Sequence, residues 1–358
     1  MNSSIKNYIK SIGAYFLTIT LTWIVAFFFL VVFQVDEDGM FSVFRIQSFQ
    51  NILLSGIISG IVWGGIYKFV QYIRSQIPTY FLAVVISLFT NICSAYLLMY
   101  IRFHLADILI IEDMPVAFTG LSQLYNSQLF YTILVYFFII GTLIEIFYDV
   151  DRKFGKGILL KFLLGKYYKP KEEERIFLFM DLKSSTYYAE KLGHFKYSRL
   201  IQDCFKDISS AVTKNKAEIY QYVGDEVVLT WKMKNGLGKS RCLQVVYDFM
   251  EVLEKKKEYY QKNYGMVPIF KAGVHSGKVM VAQVGELKSE IAYHGDAINT
   301  AARIQGLCNS YQSRLLISGN LFNQLNGEYS QGIGCRYLGE VLLTGKETTT
   351  ELYTFELN

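Results

Sequence analysis

Two aspartates and an Asn–Arg pair stand out as residues able to do chemistry. Asp181 ends an apolar run, in Phe179-Met180-Asp181-Leu182-Lys183-Ser184-Ser185-Thr186, and Asp225 sits in a tight Gly224-Asp225 turn between two more apolar runs. Carboxylates brought to one edge of a sheet offer the hard oxygen ligands that Mg2+ or Mn2+ takes when it also binds substrate phosphates. Gly-Asp is also an ordinary hairpin turn, so the pair needs support. Asn299-Thr300-Ala301-Ala302-Arg303 supplies it. Residues four apart share a helix face, and an amide beside a guanidinium suits a phosphoryl group that gains charge in a transition state. Taken alone, that helix reads as a solvated face.

The elements that must position these groups follow from periodicity. Strands are expected at 175–181, 218–223, 226–231, 269–273 and 278–284, and helices at 185–214, 239–260 and 297–307. That order, β-α-β-β-α-β, is ferredoxin-like. Further strands are expected near 314–317, 336–343 and 351–356.

Together the segments Phe-Met-Asp-Leu-Lys-Ser-Ser-Thr from Phe179, Gln-Tyr-Val-Gly-Asp-Glu from Gln221, Ala-Gly-Val-His-Ser-Gly from Ala272 and Tyr-His-Gly-Asp-Ala-Ile-Asn-Thr-Ala-Ala-Arg from Tyr293 resemble the class III adenylyl and guanylyl cyclase catalytic domain. The resemblance covers about 175–308 well and the tail to 355 more loosely. It implies an α+β, ferredoxin-like catalytic domain that converts a nucleoside triphosphate into its 3′,5′-cyclic monophosphate and pyrophosphate, with two Mg2+ or Mn2+ ions per site. Asp181 and Asp225 would hold the ions with help from the Leu182 carbonyl. Asn299 would orient the ribose and Arg303 would stabilise the α-phosphoryl charge. The family's site lies between two catalytic domains, so the resemblance also implies a head-to-tail homodimer.

Some positions depart from the family. Where it selects the base with a Lys or Glu and with an Asp, Thr or Cys, this sequence has Gln221 and Ala292. Gln can donate and accept, and Ala292 needs a neighbour such as Tyr293 or His294 to add a polar group. ATP is the expected substrate, with GTP or a pyrimidine triphosphate as alternatives. The family's triphosphate lysine is Thr344 here; Lys346, two residues on and on the same face of an extended strand, is the candidate substitute. His275 reads as a packing or hydrogen-bonding residue. A different class of function, a catalytically silent nucleotide-binding module, would account for the departures at Gln221, Ala292 and Thr344. Retention of Asp181, Asp225, Asn299 and Arg303 favours an enzyme.

Of 358 residues, 52% are hydrophobic, and charge concentrates after Val150. The reading is a transmembrane domain over 1–150, an amphipathic cytoplasmic linker over 151–172 that lies on the membrane or transmits a signal, and the catalytic domain over 173–358. Four apolar segments at 12–33, 52–70, 80–100 and 129–148 are long enough to cross a bilayer as an all-α four-helix domain. Lys6, Lys10, Lys68, Arg74 and the run Arg152, Lys153, Lys156, Lys161, Lys166 fall on one side, and Asp36, Glu37, Asp38, Asp107, Glu112 and Asp113 on the other. The positive-inside rule then puts both termini and the catalytic domain in the cytoplasm, at the inner membrane of a bacterial cell. Membrane lipid is an expected partner. Glu145 reads as an acid reaching the cytoplasmic interface, and Asn51 and Asn91 as hydrogen-bonding residues between helices. A net charge of +5 without a basic cluster gives no nucleic-acid footprint, and five scattered cysteines suggest neither disulfides nor a zinc site.

Overall fold

A computed structural model describes residues 3–32, 46–74, 82, 85–86, 88–97, 100, 128–155, 157–325 and 334–355. The chain divides into two compact units, Met1–Lys153 and Phe154–Asn358.

The described part of the first unit is helical: α1 (Ser3–Val32), α2 (Ile46–Arg74), α3 (Leu88–Leu97) and α4 (Gln128–Phe154). Glycines let α1 and α2 approach closely. A Cβ at Gly56 would overlap Ile24, and one at Gly60 would overlap Thr20. Among the described residues, the segment Ile52–Val70 is long and apolar enough to cross a membrane, and Tyr15–Phe29 and Leu88–Leu97 are shorter apolar helices. The expected third segment is described only in part, and the acidic residues at 36–38 and 107–113 lie outside the described residues, as do the side chains of Lys6, Lys10, Asn51, Arg74, Arg152 and Lys156. Glu145 corrects an expectation. Rather than reaching outward it is 9% exposed and accepts from Asn91 Nδ2 at 3.2 Å, while Asn91 Oδ1 accepts from Trp63 Nε1 at 3.1 Å. A buried carboxylate needs such donors, because desolvation without them is expensive.

The second unit is an eight-stranded sheet with helices on both faces. Its strands are β1 (Lys171–Leu182), β2 (Glu218–Val223), β3 (Glu226–Lys232), β4 (Phe270–Val284), β5 (Glu290–His294), β6 (Leu315–Ser318), β7 (Cys335–Leu342) and β8 (Thr349–Phe355), in the order β2-β3-β1-β4-β6-β8-β7 with β5 on β4. The helices are α5 (Ile158–Leu163), α6 (Ser185–Lys214), α7 (Met233–Leu237), α8 (Arg241–Lys255), α9 (Lys257–Tyr264), α10 (Asp296–Gly306) and α11 (Gly319–Gln324). The first four sheet strands in space, β4-β1-β3-β2, have the expected ferredoxin-like pairing.

β1 is central, antiparallel to β3 and to β4. Its run Ile176–Met180 is buried on both faces, as a strand covered on both sides must be. Even-numbered side chains of that run pack under α6 and α8 with Leu200, Cys204, Val245 and Phe249. Odd-numbered ones, Phe177 and Phe179, pack with Val228, Val281, Tyr293 and the α10 residues Ala297 and Ala301. One strand therefore aims alternate residues at two cores, and Asp181 inherits the α10 face.

Several boundaries differ from the sequence reading. The stretches at 269–273 and 278–284 are one strand, β4, because Ser276 and Gly277 continue the pairing with β1. The helix expected over 239–260 begins at Arg241 and breaks at Lys256. Within α6, Gly193 leaves helical geometry at φ 71°. β5 was not anticipated.

Gly273 sets the spacing of α10. A Cβ there would overlap the backbone nitrogen of Gln305, so Gly273→Ala should lower the stability of this unit by about 1–3 kcal/mol, the usual range for overpacking, in urea or thermal denaturation of the full chain. His275 behaves as a half-buried hydrogen-bonding residue: its Nδ1 lies 2.7 Å from Ser318 Oγ. Burial, then the nearby Lys346 amine, pushes its pKa down from 6.5 to about 4, against a smaller pull from Asp296. A depressed folded pKa means the neutral ring is required. Its stabilisation is present above pH about 6.5 and lost as pH falls toward about 4. His275→Gln should flatten that part of the stability profile, measured by denaturation across pH 4–7.

Candidate active site

The antiparallel register that pairs Asp181 with Glu226 puts the end of β1 beside the β2–β3 turn. There the Asp225 carboxyl comes within hydrogen-bonding reach of Asp181. Burial, then that neighbouring carboxyl, holds Asp181 above the usual carboxylate range, while Lys271 pulls it back. Glu226 is raised further, to about 7, by burial and by the charges of Asp181 and Asp225. Like charges at this separation disfavour each other's ionised form.

Two groups partly answer the negative charge. Lys271 Nζ lies 3.2 Å from Asp181 Oδ2, and Gln305 Nε2 donates to the same oxygen at 3.4 Å. Lys271 stands opposite Asp181 in the β1–β4 ladder and Gln305 on the buried side of α10. Asp225 Oδ2 is buried with no hydrogen-bond partner. A buried acceptor left unsatisfied is expensive in an ordinary core, and a divalent cation would satisfy it. Among the described residues no three His, Cys, Asp or Glu side chains form a fuller cage. The donor set therefore fits a hard ion that completes its shell from substrate phosphates and water. Leu182 follows Asp181 with its side chain buried, and Ser184, at φ 59°, turns the chain into α6 immediately afterwards.

Asn299 and Arg303 lie one turn apart on α10. Thr300, Ala301, Ile304 and Gln305 are buried against the sheet, leaving Asn299 exposed and Arg303 half-buried. Arg303 lies against the 343–346 turn: a Cβ at Gly345 would meet its Nη2 at 3.3 Å. Lys346 belongs to that turn, with its N–H donating to Leu343 O at 3.0 Å. The extended-strand expectation for Lys346 is thus corrected, because Gly345, at φ 71°, reverses the chain. Its Nζ pairs with Asp296 Oδ2 at 2.7 Å, which holds the Asp296 carboxyl below its ordinary range. The 343–346 turn thus lies along α10, with Lys346 reaching Asp296 in its first turn and Arg303, in its last, lying against Gly345.

Gln221 is exposed on β2, opposite Val228, on the face carrying Phe177, Asp181 and Tyr293. Ala292 is 7% exposed and pairs with Ala282. Strand alternation turns its side chain away from the face that Tyr293 occupies, so the structure does not bring the Gln221 and Ala292 side chains together. Tyr293 is no substitute polar reader either, since its hydroxyl accepts from Arg175 at 2.6 Å. The sequence reading missed Lys271, Gln305, Glu226 and Arg175. Strand register puts Lys271 and Glu226 beside Asp181, Gln305 reaches it through the packing of α10 on the sheet, and Arg175 at the start of an apolar run looks like a surface residue.

Residues 167–357 match the family described as adenylate and guanylate cyclase catalytic domain. "Adenylate cyclase 2" of Rhizobium meliloti (strain 1021) is 36% identical over 176 residues, covering 49% of this chain and 48% of that protein. A receptor-type guanylate cyclase of Caenorhabditis elegans is 22% identical over 199 residues, covering 55% of this chain and 17% of that protein. The chain thus spans about half or less of the length of these curated relatives. A solved structure of a bacterial light-regulated adenylyl cyclase superposes with a TM-score of 0.52 at 16% identity, covering 64% of this chain and 66% of that one, which supports the shared fold. With more than half of its length matched, the chain belongs to the adenylate and guanylate cyclase catalytic-domain family.

Proposed function

We propose that this chain is a membrane-anchored homodimeric cyclase that converts ATP into 3′,5′-cyclic AMP and pyrophosphate for intracellular signalling. The observation that carries the proposal is the convergence of Asp181 with a buried, unpartnered Asp225 oxygen inside a domain of this family.

Asp181 and Asp225, with the Leu182 carbonyl, would hold two Mg2+ or Mn2+ ions. Bound there, the ions would supply Lewis acidity toward the ribose 3′-hydroxyl and the triphosphate. Lys271, already beside Asp181, faces the incoming phosphate charge. Asn299 orients the ribose so that its 3′-oxygen lies in line with the α-phosphorus and the departing pyrophosphate. Arg303 stabilises the charge that develops on the α-phosphoryl oxygens, and Lys346, across the same turn, reaches the outer phosphates once it leaves Asp296. Gln221 donates and accepts along the Watson–Crick edge of the base.

Asn299 and Arg303 face outward from α10, which suits a site completed by a second copy whose carboxylates meet them. The adenine preference rests on the relatives named adenylate cyclase and on Gln221. The membrane anchor, with four spans, lipid contact and cytoplasmic termini, rests on the apolar helices of the first unit, of which the segment Ile52–Val70 is long and apolar enough to cross a membrane.

Purified full-length protein with Mn2+ should release pyrophosphate from ATP faster than from GTP, CTP or UTP. A faster rate with another triphosphate reassigns the base, and nucleotide binding without release from any of the four replaces the enzyme with a silent binding module. Arg303→Ala should lower kcat by about 10²–10³-fold. An Asp181→Ala chain mixed with an Arg303→Ala chain should regain turnover at one of the two shared sites; demonstrated heterodimers without recovery would exclude a shared site. Asp225→Asn removes a like charge, so it should raise the melting temperature of metal-free protein while abolishing the further rise that Mn2+ gives the wild type. A rise with Mn2+ in that variant would remove Asp225 from the metal site.

A further inference from the structure

Arg175 is an ionised side chain with 0% exposure at the start of the sheet's central strand. Its Nε donates to Glu173 Oε2 at 3.1 Å, its Nη2 to Glu218 Oε2 at 3.2 Å and its Nη1 to the Tyr293 hydroxyl at 2.6 Å. The guanidinium also lies 4.9 Å from the Tyr293 ring centroid. Glu218 accepts a further bond from Lys161 Nζ of α5 at 3.1 Å, and Glu173 accepts from the Tyr167 hydroxyl at 2.7 Å. One buried cation therefore joins β1, β2 and β5, and through Glu218 reaches α5.

Stability alone does not explain such a group. A buried ion pair loses in desolvation much of what it gains in attraction, and apolar residues of similar volume often serve as well. A planar guanidinium does impose direction, because its donors accept partners only along fixed lines. The partners here are placed where direction matters for nucleotide reading. Glu218 lies three residues before Gln221 on β2, Tyr293 directly follows Ala292 on β5, and Tyr220 packs edge-on against Tyr293 with centroids 4.9 Å apart.

We propose that Arg175 is a positioning residue for base selection: it locks β2 against β5, so that Gln221 and the β5 backbone at Ala292 present a fixed edge to the base. The proposal rests on the reading of Gln221 as the base-facing side chain. Lys161 is the outer end of the lock and makes it depend on how α5 is seated.

Tyr293→Phe removes a single hydroxyl and keeps the ring, and Arg175→Lys keeps the charge and loses the fork. In full-length protein with Mn2+, fluorescent ATP and GTP analogues report affinity, denaturation reports folding, and turnover separates KM from kcat. Both variants should fold, with the ATP-to-GTP affinity ratio reduced by about tenfold or more, KM for ATP raised, and kcat at saturation within about threefold of wild type. Folded variants with an unchanged ratio, or with kcat reduced equally for every nucleotide at unchanged KM, would overturn the proposal. Gln221→Ala is the control that separates the layers. If it alters selectivity while the Arg175 and Tyr293 variants do not, the lock fails and the base assignment stands; if Gln221→Ala leaves selectivity unchanged, the base assignment falls and takes the lock with it.

Discussion

The catalytic unit is organised around a repulsion. The pairing of β1 with β3 forces Asp181 and Asp225 together, with Glu226 beside them, in a partly buried place where the neighbouring carboxyls disfavour the charge of Asp181 and Glu226. Lys271 and Gln305 answer only part of that charge, both at Asp181. The arrangement persists because the strands carrying it are fixed elsewhere, by Phe177 and Phe179 on one face and Ile176, Leu178 and Met180 on the other, all within 8% exposure. The sheet's apolar packing holds the carboxylates where electrostatics alone would part them. A cation bound as proposed would relieve both the repulsion and the unsatisfied Asp225 oxygen.

The opposing half of the chemistry depends on a close approach. Gly273 lets the α10 backbone lie directly on β4, which brings Gln305 to Asp181 on the inner side of the helix. On the outer side the same helix offers Asn299 to solvent and Arg303 to the Gly345 turn. Residues on the two sides of one helix cannot serve one small ligand bound within a single chain. That divergence is what the proposed site, shared between two copies, would require of the carboxylates on one side and the amide and guanidinium on the other.

What the sequence made legible follows from which interactions are local. Periodicity alone delineated β2, β3, α6 and α10, and the turn at Gly224-Asp225 identified the hairpin that aims Asp225. Three things escaped it. β5 is five residues long with no distinctive alternation, so the face of Ala292 could not be read. The turn after Leu343 depends on a positive φ at Gly345, which removed Lys346 from the strand to which spacing assigned it. Lys271 and Glu226 became visible only once register was known, because nothing between residues 181 and 271 encodes which of them will face each other across a ladder.

Satisfaction of buried charge separates the structural clusters from the chemical one. Arg175 is fully enclosed and fully answered, with carboxylates from two strands and a hydroxyl from a third. Asp207 and Asp248 are likewise buried and answered, by Lys256 and Tyr260 and by Lys214 and Asn215 respectively. Such groups have reached their partners, and further binding there would only break bonds already made. Asp225 is the exception, since its buried Oδ2 lacks a partner although Lys271 and Gln305 reach the adjacent Asp181. Among the described residues of the catalytic unit, one carboxylate acceptor is left open beside a second carboxylate, an arrangement that suits positive charge from outside the chain.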